Sequence, residues 1–533
     1  MSITSGISHA VEAVKSRYAE AFLLLWLLLP NLANWLGREN NFRQLLASMF
    51  VSLCIFSVPA VIVRSRRALF IANAPWALLS GFLAAFIVRY DAPITSGMMQ
   101  SLLHTDWNET SEQLNRYLLP ALISVVAFVA YLVVAWRLPA APLKHRNILV
   151  AFGLWGIIGL IYLPYAGFEA HERFGITLDT HFYKQAYPVN LVDTGVAALR
   201  EHRQRKNHNI ELPFAPPLLN GERKIFVLII GESTRAQSFT EIAEEQSFFR
   251  DYPELVYFTD VLAQSNFTEA SVPMLLTGAR TLREVPMLPQ LTDWQNASGC
   301  LTAAISNNTS YAFSGLATIR DVVGDSGIRH HSRFDHDMLA TVDGLIAASA
   351  PRHLCLILHM AGSHFDYSAR YRKEFERYPI VGNEQERLRA AYRNSVVMVQ
   401  DFIARVVDRL SVADGQTVLV YTSDHGENLM EIDGLREHVT NRPTEFELRV
   451  PMLFWANQKY RQQHPEKWQQ LVNNRRLPSS NREVLPTLLD AMALPPASFS
   501  HGESLMRDFV PVERYFIHPD HSLRSEKTLL REP

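Results

Sequence analysis

Residues 224–233 read Lys-Ile-Phe-Val-Leu-Ile-Ile-Gly-Glu-Ser, an unbroken apolar run that ends in a glycine and two polar residues. Two later runs have the same form, His353–His359 (HLCLILH) and Thr417–Thr422 (TVLVYT). Short continuous apolar runs are typical of strands buried on both faces of a parallel sheet. Because polar helical segments such as 385–410 lie between them, the pattern predicts an α/β domain that begins at residue 223.

Polar side chains follow each predicted strand at the point where it ends. These segments are Gly231-Glu232-Ser233, Gly362-Ser363-His364 and Ser423-Asp424-His425-Gly426-Glu427. Ligands of open α/β sheets bind outside the carboxyl ends of the strands, so we expect Glu232, His364, Asp424 and His425 to share one crevice. Carboxylate and imidazole groups together suit Zn²⁺. An isolated Asp-His pair is more often a cap or a solvated turn, so this prediction depends on three strand ends together.

The segment 264–278 contains a candidate nucleophile. Thr268 precedes an apolar run and occupies a position typical of a helix N-cap. The positive end of the helix dipole would favour an alkoxide and an incoming phosphate there, and a metal would lower the hydroxyl pKa further. Taken alone, the segment is better explained by a structural cap. Pro273 indicates a helix that is kinked or begins later than the cap pattern implies.

The first 170 residues have the character of a membrane anchor. Crossing the hydrocarbon core takes about 20 apolar residues. Stretches of that kind occur at 20–36, 43–63, 68–89, 117–136 and 147–165. Five in succession with short charged connectors favour membrane spans over buried core helices. The first stretch is interrupted by Pro30, Asn31 and Asn34, and no small-residue cleavage site follows it, which argues against a signal peptide.

Basic residues in the short loops predict the orientation of these spans. They are Lys15 and Arg17 before the first span, Arg64, Arg66 and Arg67 after the second, and Arg137, Lys144, His145 and Arg146 after the fourth. The loop at 90–116 instead carries Asp91, Asp106, Glu109 and Glu112. The N-terminus is therefore expected in the cytoplasm and the chain beyond about residue 166 outside it, in the periplasm of a bacterial cell. The predicted domains are a transmembrane domain at 1–167 with a periplasmic loop at 90–116, a connector with a bridging helix at 168–222, and a periplasmic catalytic domain at 223–533.

Composition excludes several classes of protein. The chain has 51 Lys and Arg against 53 Asp and Glu, a formal charge of −2, so no polybasic surface suggests a nucleic-acid partner. Three cysteines cannot form a dense disulfide framework, and no Cys-x-x-Cys spacing indicates a structural zinc module. Cys300 could pair with Cys355, but nothing in the sequence requires it.

Together these motifs resemble the lipid-dependent phosphoethanolamine transferases, which modify lipopolysaccharide and include the mobile colistin-resistance enzymes. The motifs that carry the resemblance are Gly231-Glu232, Thr268-x-x-Ser-Val-Pro273, Gly362-Ser-His364, Tyr392-x-Asn394-Ser395 with Asp401, Ser423-Asp-His-Gly-Glu427, and Arg449-Val-Pro451 leading to Phe454-Trp455. The resemblance covers nearly the whole chain, since that family also has five spans before a periplasmic domain. It implies a catalytic domain of the sulfatase/alkaline-phosphatase type.

The resemblance implies roles for individual residues. The zinc ligands would be Glu232, Thr268, Asp424 and His425, with one zinc ion or two. Thr268 would be the nucleophile, and His364 would contact the transferred phosphate or a second metal. His364 and His438 would neutralise charge or shuttle protons, although His438 is shifted by one residue from the family histidine. Thr105 and Glu109 match positions of the lipid-donor site, and Ser101 stands where that family often has Asn.

The implied reaction is a two-step transfer. Thr268 takes phosphoethanolamine from phosphatidylethanolamine, diacylglycerol leaves, and an acceptor such as lipid A or a lipopolysaccharide core sugar receives the group. A periplasmic glucan or other polysaccharide stays open as the acceptor, because Gln264 and Met274 replace cysteines that flank the nucleophile in disulfide-rich members. A phosphoglycerol transferase also stays open, because it would share the fold, metal and nucleophile and differ only in the donor headgroup. A sulfatase is disfavoured, since neither Cys300 nor Cys355 begins a Cys-x-Pro-x-Arg sequence.

The loop charges generate a prediction about topology. A reporter that is active only in the periplasm should be active when fused after Pro533, because an odd number of spans places that residue outside the cytoplasm. Enzyme activity of the fusion in intact cells is the measurement, with the same reporter fused after Arg66 as an inactive control. A reporter that is active only in the cytoplasm and works after Pro533 would contradict the five-span count.

Overall fold

The computed structural model describes residues 3–36, 42–90, 94, 99, 107–158, 186–206, 212–307, 334–494 and 503–531. The chain divides into two compact units. One comprises Met1–Met99 and Asp106–Arg200, and the other comprises Gln100–Thr105 and Glu201–Pro533.

Helices make up the described part of the first unit. In chain order they are α1 (Ile3–Leu36), α2 (Phe42–Phe56), α3 (Arg66–Ala72), α4 (Ala74–Tyr90), α5 (Trp107–Arg137) and α6 (Arg146–Ile158). Helix α7 (Val189–Lys206) follows, within the segment predicted to be a connector.

Two of these helices contain segments long and apolar enough to cross a membrane, Val14–Leu36 and Leu118–Arg137. Helices α3 and α4 meet at a bend of 54° and would together make a third span. The apolar helices Leu45–Val61 and Arg146–Ile158 are shorter, and residues 159–165 of the fifth predicted stretch lie outside the described residues. The count of five spans therefore stays a prediction.

The polar interruption of the first span is explained by contacts inside the unit. Asn31 is buried, its Nδ2 donates to Ser52 Oγ at 2.7 Å, and its Oδ1 accepts from the Tyr187 backbone N–H at 2.9 Å. A buried amide that is hydrogen-bonded in this way links segments that are distant in sequence and does not expose a polar group to lipid.

A six-stranded sheet forms the centre of the second unit, in the order β2-β9-β6-β1-β5-β4. These strands are β1 (Lys224–Gly231), β2 (Val256–Phe258), β4 (Leu301–Ser306), β5 (Leu354–His359), β6 (Gln416–Ser423) and β9 (Met452–Ala456). Strands β4, β5, β1 and β6 are mutually parallel, whereas β9 is antiparallel to both β6 and β2. The three predicted strands are confirmed as the adjacent strands β6, β1 and β5, and sequence reasoning did not identify β2, β4 or β9.

Complete burial explains why these strands read as continuous apolar runs. Every residue of β5 and β6 is buried, and so is every residue of β1 except Lys224. Helices cover the sheet, and the helix predicted at 385–410 is confirmed as Glu384–Val412, which begins at a capping box between Asn383 and Glu386.

The remaining helices of the second unit are shorter. With the long helix as α13 they are α8 (Ala236–Glu245), α9 (Phe248–Asp251), α10 (Thr268–Thr277), α11 (Leu291–Ala297), α12 (Leu339–Ser349), α14 (Glu445–Leu448), α15 (Gln458–Gln463), α16 (Pro465–Asn474) and α17 (Val484–Ala491). Two-stranded pairings join β3 (Val261–Leu262) to β10 (Ser479–Ser480), β7 (Asn428–Leu429) to β8 (Arg436–Glu437), and β11 (Tyr515–Ile517) to β12 (Leu523–Ser525).

The cysteine pairing that the sequence left open is present. Cys300 and Cys355 form a disulfide with a Cα–Cα distance of 6.1 Å. It links the residue before β4 to the neighbouring strand β5, where Thr302 is the register partner of Cys355.

Candidate active site

Two strand ends and the start of one helix bring four predicted residues together. Glu232 follows β1, Asp424 and His425 follow β6, and each of these three offers a ligand atom within 4.8 Å of the others. His425 Nε2 lies 3.4 Å from Glu232 Oε1 and 3.4 Å from Asp424 Oδ2. The Thr268 hydroxyl completes the group, 3.1 Å from Glu232 Oε2 and 3.2 Å from His425 Nε2. We call these four residues the central cluster.

Thr268 is the first residue of helix α10 and not its N-cap. The N-cap is Phe267, whose backbone is extended and whose side chain makes no capping hydrogen bond. The helix thus begins one residue earlier than the cap pattern predicted, and the expectation of a later start is wrong because Pro273 is accommodated inside the helix. The Thr268 hydroxyl is therefore not occupied in capping and faces Glu232 and His425 at the positive end of the helix.

The backbone around the central cluster orients its side chains. Asp424 Oδ1 accepts the backbone N–H groups of His425 at 2.7 Å and of Ser233 at 3.2 Å. The Nδ1 atom of His425 lies 2.9 Å from the Gly426 carbonyl oxygen, so it is Nδ1 that carries a proton and Nε2 that faces the cluster.

Ser233 holds a backbone conformation that is uncommon for a residue with a side chain. Its φ is +56°, in the left-handed region. Three contacts hold it there: its N–H donates to Asp424, its carbonyl accepts from the Tyr392 hydroxyl at 2.7 Å, and its own hydroxyl donates to Glu232 Oε1 at 2.7 Å. Such strain is maintained only where the surroundings over-determine it, and functional sites are where it concentrates.

Burial strongly perturbs the acids and the imidazole of the cluster. It raises the pKa of Glu232 to about 8, and the neighbouring Asp424 carboxylate adds to this rise. It also raises the pKa of Asp424 to about 6, and it lowers the pKa of His425, as does the nearby His438. Two carboxylates this close in a low-dielectric interior destabilise each other's charge unless a cation lies between them.

A metal ion fits these residues. Asp424 Oδ2 is buried and, within the described part of the chain, accepts no hydrogen bond although its partner oxygen accepts two. An acceptor left over in a fully buried carboxylate, beside a carboxylate, an imidazole Nε2 and a hydroxyl, is the donor set expected for a divalent cation such as Zn²⁺.

A second layer of histidines lies beside the cluster. The His438 ring is 4.3 Å from the His425 ring and 5.3 Å from the His364 ring, measured between centroids. Burial lowers the pKa of His364, and His438 contributes to this lowering. The structure thus brings both predicted histidines to the cluster.

Sequence reasoning missed several supporting residues. Glu427 Oε1 lies 2.8 Å from His438 Nδ1, and burial raises the pKa of this glutamate. The sequence could have identified this residue, because Glu427 belongs to the same motif as Asp424. Ser271 donates to the Asp424 carbonyl at 2.6 Å, and Asn481 lies at the same oxygen at 3.5 Å. No local pattern marks Asn481, because it comes from the start of a distant helical turn.

The predicted lipid-donor residues cannot be placed at this cluster. Ser101 and Thr105 lie outside the described residues. Glu109 belongs to the first turn of α5, and its side chain lies outside what the structure describes.

Comparison with known proteins agrees with this geometry. Residues 224–494, more than half of the 533, match the sulfatase family. Residues 49–174 match the family described as phosphoethanolamine transferase EptA/EptB. The chain belongs to the phosphoethanolamine transferases, with a catalytic domain of the sulfatase family.

Relatives of this transferase extend over most of its length. It is 25% identical over 482 residues to phosphoethanolamine transferase EptC of Escherichia coli (strain K12), which covers 82% of each chain. It is 22% identical over 410 residues to phosphatidylethanolamine transferase Mcr-1 of Escherichia coli, which covers 70% of this chain and 76% of that one. The integral membrane lipooligosaccharide phosphoethanolamine transferase A (EptA) from Neisseria meningitidis has a solved structure that matches with a TM-score of 0.71 at 18% identity, over 91% of this chain and 98% of that chain. The last likeness shows a shared fold, a helical N-terminal region followed by a sulfatase-type domain.

The central cluster generates a prediction about metal. The purified transferase should contain at least one zinc per chain by elemental mass spectrometry, and Asp424→Ala or His425→Ala should lower zinc affinity by more than about 100-fold. Loss of a direct ligand should cost more than loss of a supporting residue, which costs about 10- to 100-fold. His464→Ala, at the start of α16, is the control and should keep the wild-type zinc content. Full zinc occupancy in both cluster variants would place the metal elsewhere.

Proposed function

We propose that this transferase moves phosphoethanolamine from phosphatidylethanolamine to lipid A or a lipopolysaccharide core sugar, through a covalent intermediate on Thr268. One observation carries the proposal. The Thr268 hydroxyl lies 3.1 Å from Glu232 Oε2 and 3.2 Å from His425 Nε2, at the first residue of a helix and beside a buried acidic pair. A hydroxyl in that setting is activated as a nucleophile.

The proposal assigns separate tasks to the two parts of the chain. Residues 1–167 anchor the enzyme in the bacterial inner membrane with the N-terminus in the cytoplasm, 168–222 connect, and 223–533 carry the chemistry in the periplasm. Ser101, Thr105 and Glu109 are assigned to binding of the lipid donor. The two apolar helical segments of spanning length, Val14–Leu36 and Leu118–Arg137, support the membrane assignment.

In the first step, the Thr268 oxygen forms a bond to the phosphorus of phosphatidylethanolamine while the bond from phosphorus to the diacylglycerol oxygen breaks. The proton lost by the Thr268 hydroxyl is returned to the diacylglycerol oxygen, and we assign this transfer to His364 and His438. Burial lowers the pKa of His364, which favours the neutral ring, and its Nδ1 lies 2.9 Å from the Phe365 carbonyl oxygen, so Nε2 is the nitrogen that would accept the proton.

In the second step, an oxygen of the acceptor attacks phosphorus, the bond to Thr268 breaks, and the acceptor proton passes to the Thr268 oxygen. A zinc ion held by Glu232, Thr268, Asp424 and His425 would polarise the phosphoryl oxygens and lower the pKa of the nucleophile. Glu427, through its contact with His438 Nδ1, fixes which nitrogen of that ring is available to the phosphate.

The name of the relative Mcr-1 supports phosphatidylethanolamine as donor, and the name of EptC supports phosphoethanolamine as the transferred group. A phosphoglycerol transferase would use the same fold and nucleophile. The mass of the group bound to Thr268 therefore distinguishes phosphoethanolamine transfer from phosphoglycerol transfer.

The nucleophile assignment is tested by the covalent intermediate. Wild-type enzyme given phosphatidylethanolamine and no acceptor should gain the mass of one phosphoethanolamine on the peptide that contains Thr268, by mass spectrometry. Thr268→Ala should show no adduct and no diacylglycerol release. Because Thr268 is not the N-cap, its removal should cost less than the ~1 kcal/mol of a lost cap, and the variant should stay folded.

The same helix offers a matched control. The Thr277 hydroxyl donates to the Pro273 carbonyl at 2.8 Å and accepts the Ala279 backbone N–H at 3.3 Å. These contacts lie at the far end of α10 from Thr268, so Thr277→Ala should form the adduct normally. Thr268→Ser should keep partial activity, since the hydroxyl stays while the methyl that restricts its rotamer is lost. Near-normal turnover in a folded Thr268→Ala variant would refute the mechanism, and a phosphoglycerol adduct would favour the alternative donor.

The acceptor is identified in cells. Mass spectrometry of envelope lipids and glycans, with and without the gene, should show one added phosphoethanolamine on lipid A or the lipopolysaccharide core. Complementation with the Thr268→Ala variant is the control and should leave the envelope unmodified. Modification of a periplasmic glucan alone would overturn the acceptor assignment while leaving the chemistry intact.

A further inference from the structure

Asp335 lies outside every motif identified in the sequence, yet its carboxylate reaches the active-site edge of the sheet. It is buried, in a short helical turn (Asp335–Met338) just before α12. Its Oδ1 accepts the Ala361 backbone N–H at 2.8 Å and the Asn307 side-chain N–H at 2.9 Å, and its Oδ2 accepts the Gly362 backbone N–H at 2.9 Å. One buried carboxylate thus joins the end of β4 to the loop that follows β5.

The chemistry of these contacts requires a carboxylate. Three N–H groups converge on the Asp335 oxygens, and none of the three contacts needs a donor on Asp335. An ionised carboxylate only accepts hydrogen bonds, whereas an amide of the same shape would direct its NH₂ group against at least one of these N–H groups. Hydrogen bonds to an ionised group are also stronger than neutral ones.

The loop that Asp335 holds lies against the central cluster. Ser363 N–H donates to the Glu232 carbonyl at 2.9 Å. Gly362 has φ +52°, and a Cβ added there would come within 2.6 Å of the Glu232 carbonyl oxygen and 2.8 Å of its nitrogen. Backbone therefore packs directly on backbone at this point, and a shift of the loop would displace either Glu232 or His364.

The far end of the same loop is held by a cation. Arg370 donates to the His364 carbonyl at 3.2 Å and to the Phe365 carbonyl at 2.8 Å. Asp335 fixes the N–H groups at the start of the loop and Arg370 fixes the carbonyls at its end. Between them lies His364, whose ring is 5.3 Å from that of His438.

We propose that Asp335 is a positioning residue for phosphoryl transfer, acting through the loop 361–364 to hold His364 at the transferred phosphate. This role rests on the proposed function, because it assigns His364 to that phosphate. A catalytic group that is misplaced by about 1 Å costs about 100-fold in rate, and loss of a supporting residue costs about 10- to 100-fold.

The experiment compares the full-length enzyme in detergent with its Asp335→Asn variant. Turnover of phosphatidylethanolamine should fall by about 10- to 100-fold, with KM changed by less than about twofold. Hydrogen exchange of the Ala361 and Gly362 amides, followed by mass spectrometry, should become at least about tenfold faster, since both lose their charged acceptor. Asp337→Asn is the matched control, because Asp337 lies on the same turn but is partly exposed and pairs with Arg372 at 2.7 Å.

A double-mutant cycle separates positioning from a general structural effect. If Asp335 acts through His364, then Asp335→Asn should lower turnover by less than about twofold in a His364→Ala background. An equal loss in both backgrounds, or wild-type turnover in folded Asp335→Asn, would overturn the proposal. If Asp335→Asn fails to fold, Asn307→Ala removes a single donor to the same carboxylate and should give the same pattern in milder form.

Failure of the proposed function can be distinguished from failure of the positioning role of Asp335. A wild-type enzyme that transfers no phosphoethanolamine would overturn that function and the role of Asp335 in it. The exchange measurement needs no substrate, so it would still show whether Asp335 holds the loop. Unchanged exchange at Ala361 and Gly362 would refute the positioning claim whatever the activity.

Discussion

The arrangement of the active site in the second unit depends on the electrostatic cost of burying two carboxylates side by side. Glu232 and Asp424 are both fully buried, and both have raised pKa values, so neither is readily ionised without a compensating positive charge. Among the described residues, two backbone N–H groups donate to Asp424 Oδ1, whereas Oδ2 accepts no hydrogen bond and lies 3.4 Å from His425 Nε2. We propose that the surrounding fold keeps this arrangement because it can hold a cation, which an apolar core could not do.

The order of the sheet makes this concentration of charge feasible. Strands β6, β1 and β5 are neighbours and parallel, so the residues that follow them emerge at one edge, about 5 Å apart from strand to strand. The apolar residues of these strands are buried in the core, so the loops that follow them can adopt few conformations. Ser233 in a left-handed conformation and Gly362 against the Glu232 backbone show how closely those loops approach each other.

The central strands and the cluster residues Glu232, Asp424 and His425 could be predicted because each depends on local sequence, whereas the role of Thr268 was implied only by the family resemblance. An apolar run followed by a carboxylate or histidine predicts both a buried strand and a functional residue at its end. Asp335 and Asn481 could not be predicted, since each acts on a partner brought near only by the folded sheet. The N-cap prediction for Thr268 failed for a related reason: its hydroxyl has partners in Glu232 and His425 that lie far away in sequence.

The disulfide between Cys300 and Cys355 indicates the cellular compartment in which this domain completes its folding. Cytosolic thiols are kept reduced, and disulfides form and persist in oxidising compartments such as the bacterial periplasm. A bond that ties β5 to the residue before β4 is therefore made after export, when the chain has already crossed the membrane. The pairing agrees with the compartment predicted from the loop charges, and it does so through redox chemistry, which is independent of the distribution of lysine and arginine. A copy retained in the cytosol would have the same sequence but would lack this covalent link at the edge of its sheet.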